Sequence, residues 1–257
     1  MRRRQLIEVE DLAWCPRTIR DGGTEWLAFL GSLTGAFTSA LGPIRRALHA
    51  TGTDVVVDLC SGAGGPLRAL APDFTRDGIR VVLSDLYPNV GALAAVRDAA
   101  GMDFCTDPVD ATCVPRSLTG VRTMFNAFHH FDTTQAAAVL ADAVSAGQPI
   151  AIFEGATTRA LGLIMMPVQI PAIFLMTPFV RPFRWSRLLF TYVLPLIPLL
   201  VLFDGTVSFL RLYTRQELEE VIAATRGHEQ FEWEIGSLRV HGLPAHISYL
   251  LGIPKRS

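Results

Sequence analysis

The stretch V-V-V-D-L-C-S-G-A-G-G-P, residues 55–66, decides the fold of this chain. Its three β-branched residues predict a buried strand that ends at Asp58. The glycines that follow permit a tight turn with positive φ and let a ligand approach the backbone closely. A helix is expected from about Gly65 to Leu70. This order is typical of a strand–turn–helix unit that binds nucleotide-like ligands.

Apolar strands alternate with helices along much of the remaining chain. Further strands are predicted at 80–84, 102–105, 123–128, 149–153, 231–235 and 245–251. Helices are predicted at 90–100, at 133–146 with Thr133 or Thr134 as the N-cap, and from a capping box at 214–217 to about 225. Uninterrupted apolar strands separated by helices indicate an α/β fold, a doubly wound parallel sheet covered on both faces. The last two strands lack a connecting helix, so an antiparallel hairpin is expected at the sheet edge.

Length, charge and cysteine content argue against nucleic-acid binding, a metal site and secretion. The 257 residues suit one large domain or one domain with an insertion, and a net charge of −1 provides no field that would attract nucleic acid. The four cysteines form no C-x-x-C pair and no Cys/His cluster has zinc spacing, so no metal site is expected. Reduced thiols in a cytoplasmic protein are the simplest interpretation. The basic start at residues 1–4 precedes no apolar segment, so a secretory signal is not expected.

Polar residues close the successive strands where ligands of doubly wound sheets bind. Asp58 closes the first strand and can order the turn. Asp85 closes the second, the usual position of a carboxylate that holds ribose hydroxyls. Asp110 follows the third strand and can accept a hydrogen bond from an adenine amino group. Asn126 lies at the end of the fourth.

With the glycine turn and these strand-end residues in this order, the chain resembles the class I (Rossmann-like) methyltransferases. The segment 58–64 is similar to the family's D-x-G-x-G-x-G motif, and Asp85, Asp110-Ala111 and Asn126-Ala127 match its later motifs. The resemblance covers 54–154 and 205–254, and Cys60 departs from it by replacing the first glycine. A dehydrogenase turn would carry a third glycine where this chain has Leu67, which favours the methyltransferase interpretation.

The resemblance implies a seven-stranded sheet, mostly parallel with an antiparallel C-terminal hairpin, and the cofactor S-adenosylmethionine. The expected cofactor-binding residues are Asp58, Cys60, Gly62, Gly64, Asp85, Leu86, Asp110, Ala111 and Asn126.

His129 and His130 follow the fourth strand at the mouth of the expected site. Either imidazole can deprotonate an acceptor hydroxyl, or both can instead pack against the cofactor or satisfy loop carbonyls. Glu154 ends the fifth strand and either faces substrate or is a solvated loop acid. Trp14, Asp21 and Thr24 precede an apolar helix, and they either close over substrate or belong to a simple packing helix.

The most unusual segment is the apolar insertion, residues 161–203. Its two charge-free stretches flank an arginine-rich loop, Arg181 to Arg187. Three interpretations stay open: two membrane-spanning helices, a hairpin in one leaflet whose Arg181, Arg184 and Arg187 meet anionic headgroups, or a lid or dimer surface. Six prolines argue against straight spanning helices. The expected organisation is an N-terminal helical cap (1–50), a cofactor-binding core (51–160), the insertion, and a C-terminal completion of the sheet (204–257).

Two hypotheses about function follow from these features. The first is an S-adenosylmethionine-dependent methyltransferase acting on a hydrophobic small molecule, such as a lipid, quinone, polyketide or aromatic metabolite. The second is a catalytically inactive, membrane-associated scaffold with the same fold. Either protein is expected to be cytoplasmic or peripheral on the inner face of the membrane, where a homodimer is one way to cover the insertion.

Overall fold

A computed structural model describes residues 3–62, 64–88, 90–155, 158–240, 242 and 245–255, and it contains one seven-stranded sheet. The strand order is β3-β2-β1-β4-β5-β7-β6. Five strands run parallel, whereas β7 pairs antiparallel with both β5 and β6. The strands are β1 (Val55–Asp58), β2 (Arg80–Leu83), β3 (Asp103–Phe104), β4 (Val121–Phe125), β5 (Ile150–Glu154), β6 (Phe231–Arg239) and β7 (His246–Pro254). The expected mostly parallel sheet with its C-terminal hairpin is confirmed.

Nine α-helices are seen among the described residues. They are α1 (Arg17–Thr34), α2 (Leu41–Thr51), α3 (Leu67–Arg76), α4 (Val90–Ala100), α5 (Thr133–Ala146), α6 (Arg159–Met176), α7 (Trp185–Leu188), α8 (Leu196–Arg211) and α9 (Arg215–Ala224). Two buried apolar clusters cover the sheet: α2 and α3 contribute to one, α5 and α9 to the other. This two-sided cover explains why β4 and β5 are buried at every position.

The ends of two helices show how local sequence sets the boundaries. Asp132, rather than the expected Thr133 or Thr134, is the N-cap of α5, and it forms a capping box with Gln135. Its carboxylate accepts from two backbone amides, which a threonine one residue later is not placed to do. The capping box of Thr214 and Glu217 at the start of α9 is confirmed.

The predicted fourth strand, 123–128, extends too far at its C-terminal end. Asn126 adopts a φ of +50°, outside the extended region, and Phe128–His130 form a 3-10 turn. The strand therefore ends at Phe125, and His129 lies in a turn above the sheet. Helix α3 also differs from its predicted range, beginning at Leu67 and continuing through Pro72 to Arg76.

The apolar segment folds into α6, α7 and α8, with a π-helical turn at Leu189–Val193. Helix α8 crosses the predicted boundary at residue 203 and ends at Arg211. Helix α1 packs on α8 through a glycine, since a Cβ at Gly22 would lie 2.4 Å from Ile197 Cδ1. A third core cluster joins these helices, with Trp26, Ile173 and Val201 among its buried members.

The apolar helices of this chain are short or bent. No single helix of the described residues is long and apolar enough to cross a membrane. Two pairs of consecutive helices are long and apolar enough when taken together, but each pair is sharply bent. They are Arg17–Thr34 with Thr38–Thr51, bent by 73°, and Trp185–Val193 with Leu196–Arg211, bent by 78°.

The arginine-rich loop is only partly available to solvent, which corrects the expectation of three headgroup-binding arginines. Arg187 is buried, forms an ion pair with Glu25 and donates to the carbonyl of Val180. Arg184 also lies beside Glu25, at 3.1 Å, but its side chain is half exposed. Arg181 is exposed. A buried guanidinium needs a carboxylate partner, and α1 supplies one that sequence spacing does not reveal.

Candidate active site

The turn after β1 is ordered by the buried carboxylate of Asp58. Its Oδ1 accepts from Thr123 Oγ1 and its Oδ2 from Ser61 Oγ, both at 2.7 Å. Burial raises the pKa of the Asp58 carboxyl to about 7, although the two hydroxyl hydrogen bonds lower it. Because this carboxylate is buried, Asp58 ties β1 to β4 and orders the turn from within the fold.

Three residues of this turn adopt the left-handed conformation. The φ angles are +60° at Cys60, +53° at Gly62 and +78° at Gly64. Cys60 thus keeps the backbone course of the glycine it replaces, at a cost of about 1–2 kcal/mol. Gly64 admits no side chain, since a Cβ there would lie 2.8 Å from Val96 Cγ2. The Gly62 and Gly64 amides donate within the fold, to Asp85 Oδ2 and to the Ser61 carbonyl, so at these positions the turn offers a ligand its bare glycine backbone and not free amides.

Asp85 fastens the turn to the end of β2. Its Oδ2 accepts from the Gly62 amide and its Oδ1 from the Tyr87 amide, each at 2.8 Å. Each oxygen retains a second lone pair, so the carboxylate can still accept from two hydroxyl groups. Leu86, the neighbouring candidate, is 42% exposed and presents apolar surface beside it.

Cys60, Asp110 and Ala111 are the predicted cofactor residues still to be placed. Burial and the charges of Asp85, Asp58 and Asp110 all raise the pKa of the Cys60 thiol. Asp110 is exposed, and its Oδ1 accepts from both the amide and the hydroxyl of Thr112. Ala111 beside it is buried.

Asn126 joins the ends of β4 and β5. Its backbone amide donates to the carbonyl of Phe153, and its Oδ1 accepts from the Gly155 amide at 2.7 Å. Asn126 therefore fixes the residues that follow β5 against the end of β4.

His129 and Glu154 form a buried pair at the ends of these two strands. His129 Nδ1 lies 2.8 Å from Glu154 Oε2, and the His129 amide donates to Glu154 Oε1. Because a carboxylate only accepts, this contact assigns the proton to Nδ1 and leaves a lone pair on Nε2. Nε2 is buried and has no hydrogen-bond partner among the described residues. Glu154 is thus a partner of His129, not a solvated loop acid.

Sequence reasoning missed Glu8, which lies at the centre of the cluster. Glu8 is 1% exposed, and its Oε1 lies 3.9 Å from His129 Nε2 while its Oε2 lies 3.7 Å from His130 Nε2. Arg211 Nη1 and Ser208 Oγ both lie 2.9 Å from Oε1. The overlooked signal is Asp204, Ser208 and Arg211, whose i, i+4, i+7 spacing places three polar residues on one face of an apolar helix.

His130 stacks beside His129, with ring centroids 4.4 Å apart. Its Nδ1 lies 3.5 Å from Asp11 Oδ1. Burial lowers the pKa of His130, but the hydrogen bond to Asp11 and the charges of Glu8, Asp11 and Glu10 outweigh that effect and raise it. His130 consequently favours its protonated form more than an exposed histidine does.

The N-terminal segment, residues 3–12, holds these side chains in place. Arg3 donates to the carbonyls of His129 and Phe131, and its guanidinium lies 4.1 Å from the centroid of the Tyr213 ring. The carboxylate of Asp204 accepts from the amides of Val9 and Glu10. The segment therefore covers the histidine pair.

The three N-terminal substrate candidates lie apart from this cluster. Trp14 is 70% exposed, and the Thr24 hydroxyl donates to carbonyls within its own helix. Among the described residues, Trp14, Asp21 and Thr24 form no hydrogen bond or ion pair with the histidine cluster. The structure brings Glu8 and Asp11 to the site instead.

No protein-family model and no curated protein matches the sequence. Solved structures match over almost the whole chain. The plantazolicin methyltransferase BpumL in complex with SAH is 12% identical, with 96% of this chain and 93% of that chain covered and a TM-score of 0.55. The plantazolicin methyltransferase BamL, in complex with a triazolic desmethylPZN analog and SAH, is 10% identical, with 93% and 96% covered and a TM-score of 0.52.

A third similar structure is an O-methyltransferase family protein from Burkholderia thailandensis. It is 16% identical, with 90% of this chain and 58% of that chain covered and a TM-score of 0.51. At such low identity the likeness establishes the fold, and that fold is the class I methyltransferase fold.

Proposed function

We propose that this protein is an S-adenosylmethionine-dependent methyltransferase that acts on a hydrophobic small molecule. The observation that carries the proposal is the turn at 58–64, with its left-handed residues and with the Asp85 carboxylate bonded to its Gly62 amide. Two backbone amides hold the Asp85 carboxylate beside this turn, and each of its oxygens keeps a second lone pair. A carboxylate in that position suits a ligand with ribose hydroxyls and a positive charge.

Each predicted cofactor residue takes one role in this proposal. Asp85 accepts from the ribose hydroxyls, and Asp110 accepts from the adenine amino group. Leu86 and Ala111 supply apolar contact to the base. The backbone at Cys60, Gly62 and Gly64 admits the ligand, and Asp58 and Asn126 keep the surrounding loops in position. When bound, the cofactor supplies a methyl group on a sulfonium, which is an electrophile at neutral pH.

The acceptor end of the site is assigned to His129 and Glu154. Methyl transfer needs an aligned nucleophile, and a base contributes only when that nucleophile carries a proton. Glu154 holds the His129 ring through Nδ1, so Nε2 is the atom suited to accept the proton. His130 is the weaker candidate because its surroundings raise its pKa and favour its protonated form.

An apolar acceptor is supported by the exposed surface of the insertion. The exposed large apolar side chains of the insertion include Ile164, Leu175, Phe179, Trp185, Val193, Leu194, Leu199 and Phe203. Monomeric soluble proteins rarely leave so many neighbouring apolar residues uncovered. The segment between Glu154 and Asp204 contains four arginines and no lysine or acid. Its exposed Arg181 and half-exposed Arg184 suit an anionic lipid surface.

Calorimetric titration tests the cofactor. S-adenosylmethionine is expected to bind the wild type, and Asp85→Ala is expected to weaken binding by at least about tenfold, because a hydrogen bond to a charged group contributes about 1.5–3 kcal/mol. Asp98→Ala removes an exposed acid from α4 and is the matched control. Equal affinity in wild type and Asp85→Ala would refute the assigned cofactor site.

Transfer of a labelled methyl group to an apolar cell extract separates the enzyme from an inactive scaffold. Label is expected in the apolar fraction, and His129→Gln is expected to slow its appearance by about 100-fold or more. Cofactor binding without transfer to any fraction would favour the scaffold.

Sedimentation with vesicles tests the membrane surface. The wild type is expected to bind vesicles rich in anionic lipid better than zwitterionic ones, and the Trp185→Glu, Val193→Glu double variant is expected to lose binding. Binding that is unchanged by this variant would exclude the insertion as the contact surface.

A further inference from the structure

The histidine pair and Glu8 are arranged like ligands around a common centre. Both imidazoles direct Nε2 at the Glu8 carboxylate, from 3.9 Å for His129 and 3.7 Å for His130. The three ligand atoms lie within 4.8 Å of one another. Ligands of a tetrahedral ion lie roughly 3.3 Å apart when metal–ligand distances are near 2.0–2.1 Å. Side-chain shifts of less than about 1 Å therefore bring all three to an ion.

Each of these three side chains also has an outer partner that fixes its orientation. Glu154 contacts Nδ1 of His129, and Asp11 lies beside Nδ1 of His130. Glu8 Oε1 accepts from Arg211 and Ser208. Metal-binding histidines characteristically direct their second nitrogen at a carboxylate, and ligating carboxylates are themselves hydrogen-bonded.

The buried Nε2 of His129 is a second, independent observation. It has no hydrogen-bond partner among the described residues, although His129 is only 5% exposed. A buried polar atom without a partner costs about 1–3 kcal/mol, which coordination to an ion would remove. Carboxylates also surround the two histidines, since Glu8, Asp11 and Glu154 each lie beside one of the imidazoles.

We propose that Glu8, His129 and His130 bind one divalent transition-metal ion. Two imidazoles and a carboxylate suit zinc, for which nitrogen and oxygen ligands are ordinary. Binding has a consequence that rests on the proposed function. The ion occupies Nε2 of His129, the atom assigned as proton acceptor, so the metal-loaded protein transfers methyl groups more slowly than the metal-free protein.

Untagged, metal-free protein titrated with Zn²⁺ in a calorimeter tests the site without reference to activity. One ion per chain is expected. Glu8→Gln and His130→Asn each remove a ligand, and Asp11→Asn removes an outer partner; each is expected to weaken binding by about 10-fold to 100-fold. His49→Ala, which removes an exposed histidine from α2, is expected to bind as the wild type does. Unchanged affinity in both ligand variants would overturn the proposal.

Absorption of the Co²⁺-loaded wild type covers the case in which a variant fails to fold. Visible bands without a thiolate charge-transfer band are expected, because all ligands are nitrogen or oxygen. A thiolate band would place the ion on a cysteine and overturn the assignment. Absence of methyl transfer by the metal-free protein, with intact Zn²⁺ binding, refutes only the proposed function, whereas transfer by a protein that does not bind Zn²⁺ refutes only the metal site. Inhibition by Zn²⁺ on the order of 100-fold is expected in the active protein, and undiminished transfer at full occupancy would refute the shared use of Nε2.

Discussion

Asp58 makes the stability of this protein fall as pH rises towards neutrality. Its carboxyl has a pKa of about 7 in the folded chain, raised from 3.8 by burial. Between these values the folded protein keeps a proton that the unfolded chain has released. Since the folded state then binds more protons, the free energy of unfolding decreases as pH increases. The contribution is fully present below the unfolded pKa and is lost as pH rises through the folded pKa.

The size of this effect follows from the two pKa values. From about pH 5 to about pH 8, the linkage relation gives a loss of about 2–3 kcal/mol in the free energy of unfolding. Asp58→Asn removes the titrating group and keeps the shape. Its amide oxygen accepts from one hydroxyl and its NH2 group donates to the other, replacing the contacts with Thr123 and Ser61.

Urea unfolding followed by tryptophan fluorescence measures the effect at both pH values. The difference between Asp58→Asn and wild type is expected to shift by about 2–3 kcal/mol in favour of the variant on going from pH 5 to pH 8. Asp98→Asn, at an exposed position, controls for the loss of one charge. A difference that stays constant within about 0.5 kcal/mol would show that Asp58 titrates as an ordinary acid and would refute this reasoning.

Three further substitutions test the elements around the site. Gly64→Ala is expected to lower the free energy of unfolding by about 1–3 kcal/mol, measured by urea unfolding, because its Cβ would meet Val96; Gly78→Ala has a similar φ and open space, so a loss as large there would contradict the steric explanation. Arg122→Met leaves the half-buried Asp142 without its guanidinium partner and is expected to cost about 3 kcal/mol; a loss below about 1 kcal/mol in the same assay would mean that solvent replaces the pair. Asp132→Ala removes the N-cap of α5 and is expected to cost about 1 kcal/mol in thermal unfolding, whereas Thr133→Ala should cost less.

The arrangement of the turn at 58–64 and Asp85 was predictable because short stretches of sequence encode it. Asp58 and the glycines lie within seven residues, and Asp85 closes the neighbouring parallel strand, so local pattern and sheet topology bring them together. Cys60 shows the limit of motif matching, since the backbone keeps the glycine conformation without the glycine.

The cluster of His129, His130, Glu154 and Glu8 was predictable only in part, because one of its members comes from a distant part of the chain. His129, His130 and Glu154 lie at strand ends and could be placed by topology. Glu8 could not, because its partner Ser208 lies 200 positions away along the chain. The burial of Arg187 depends in the same way on Glu25, 162 positions away. The polar face of α8 is visible as a periodic pattern in the sequence, but the irregular N-terminal segment carries no periodic signal that would pair Glu8 with that face.

Helix α8 connects the two unusual features of this protein. One of its faces presents Asp204, Ser208 and Arg211 to the N-terminal segment and the histidine cluster. Other positions nearer its N-terminus leave Leu199 and Phe203 half exposed on the apolar surface. A helix rises about 1.5 Å per residue, so only about 12 Å separate Phe203 from Arg211. An apolar acceptor held at that surface would therefore have to reach about 12 Å along α8, and past the N-terminal segment that covers the histidine pair, to bring its methylated atom to His129. The proposed function accordingly predicts acceptors that bear their methylated atom at one end of an extended apolar body.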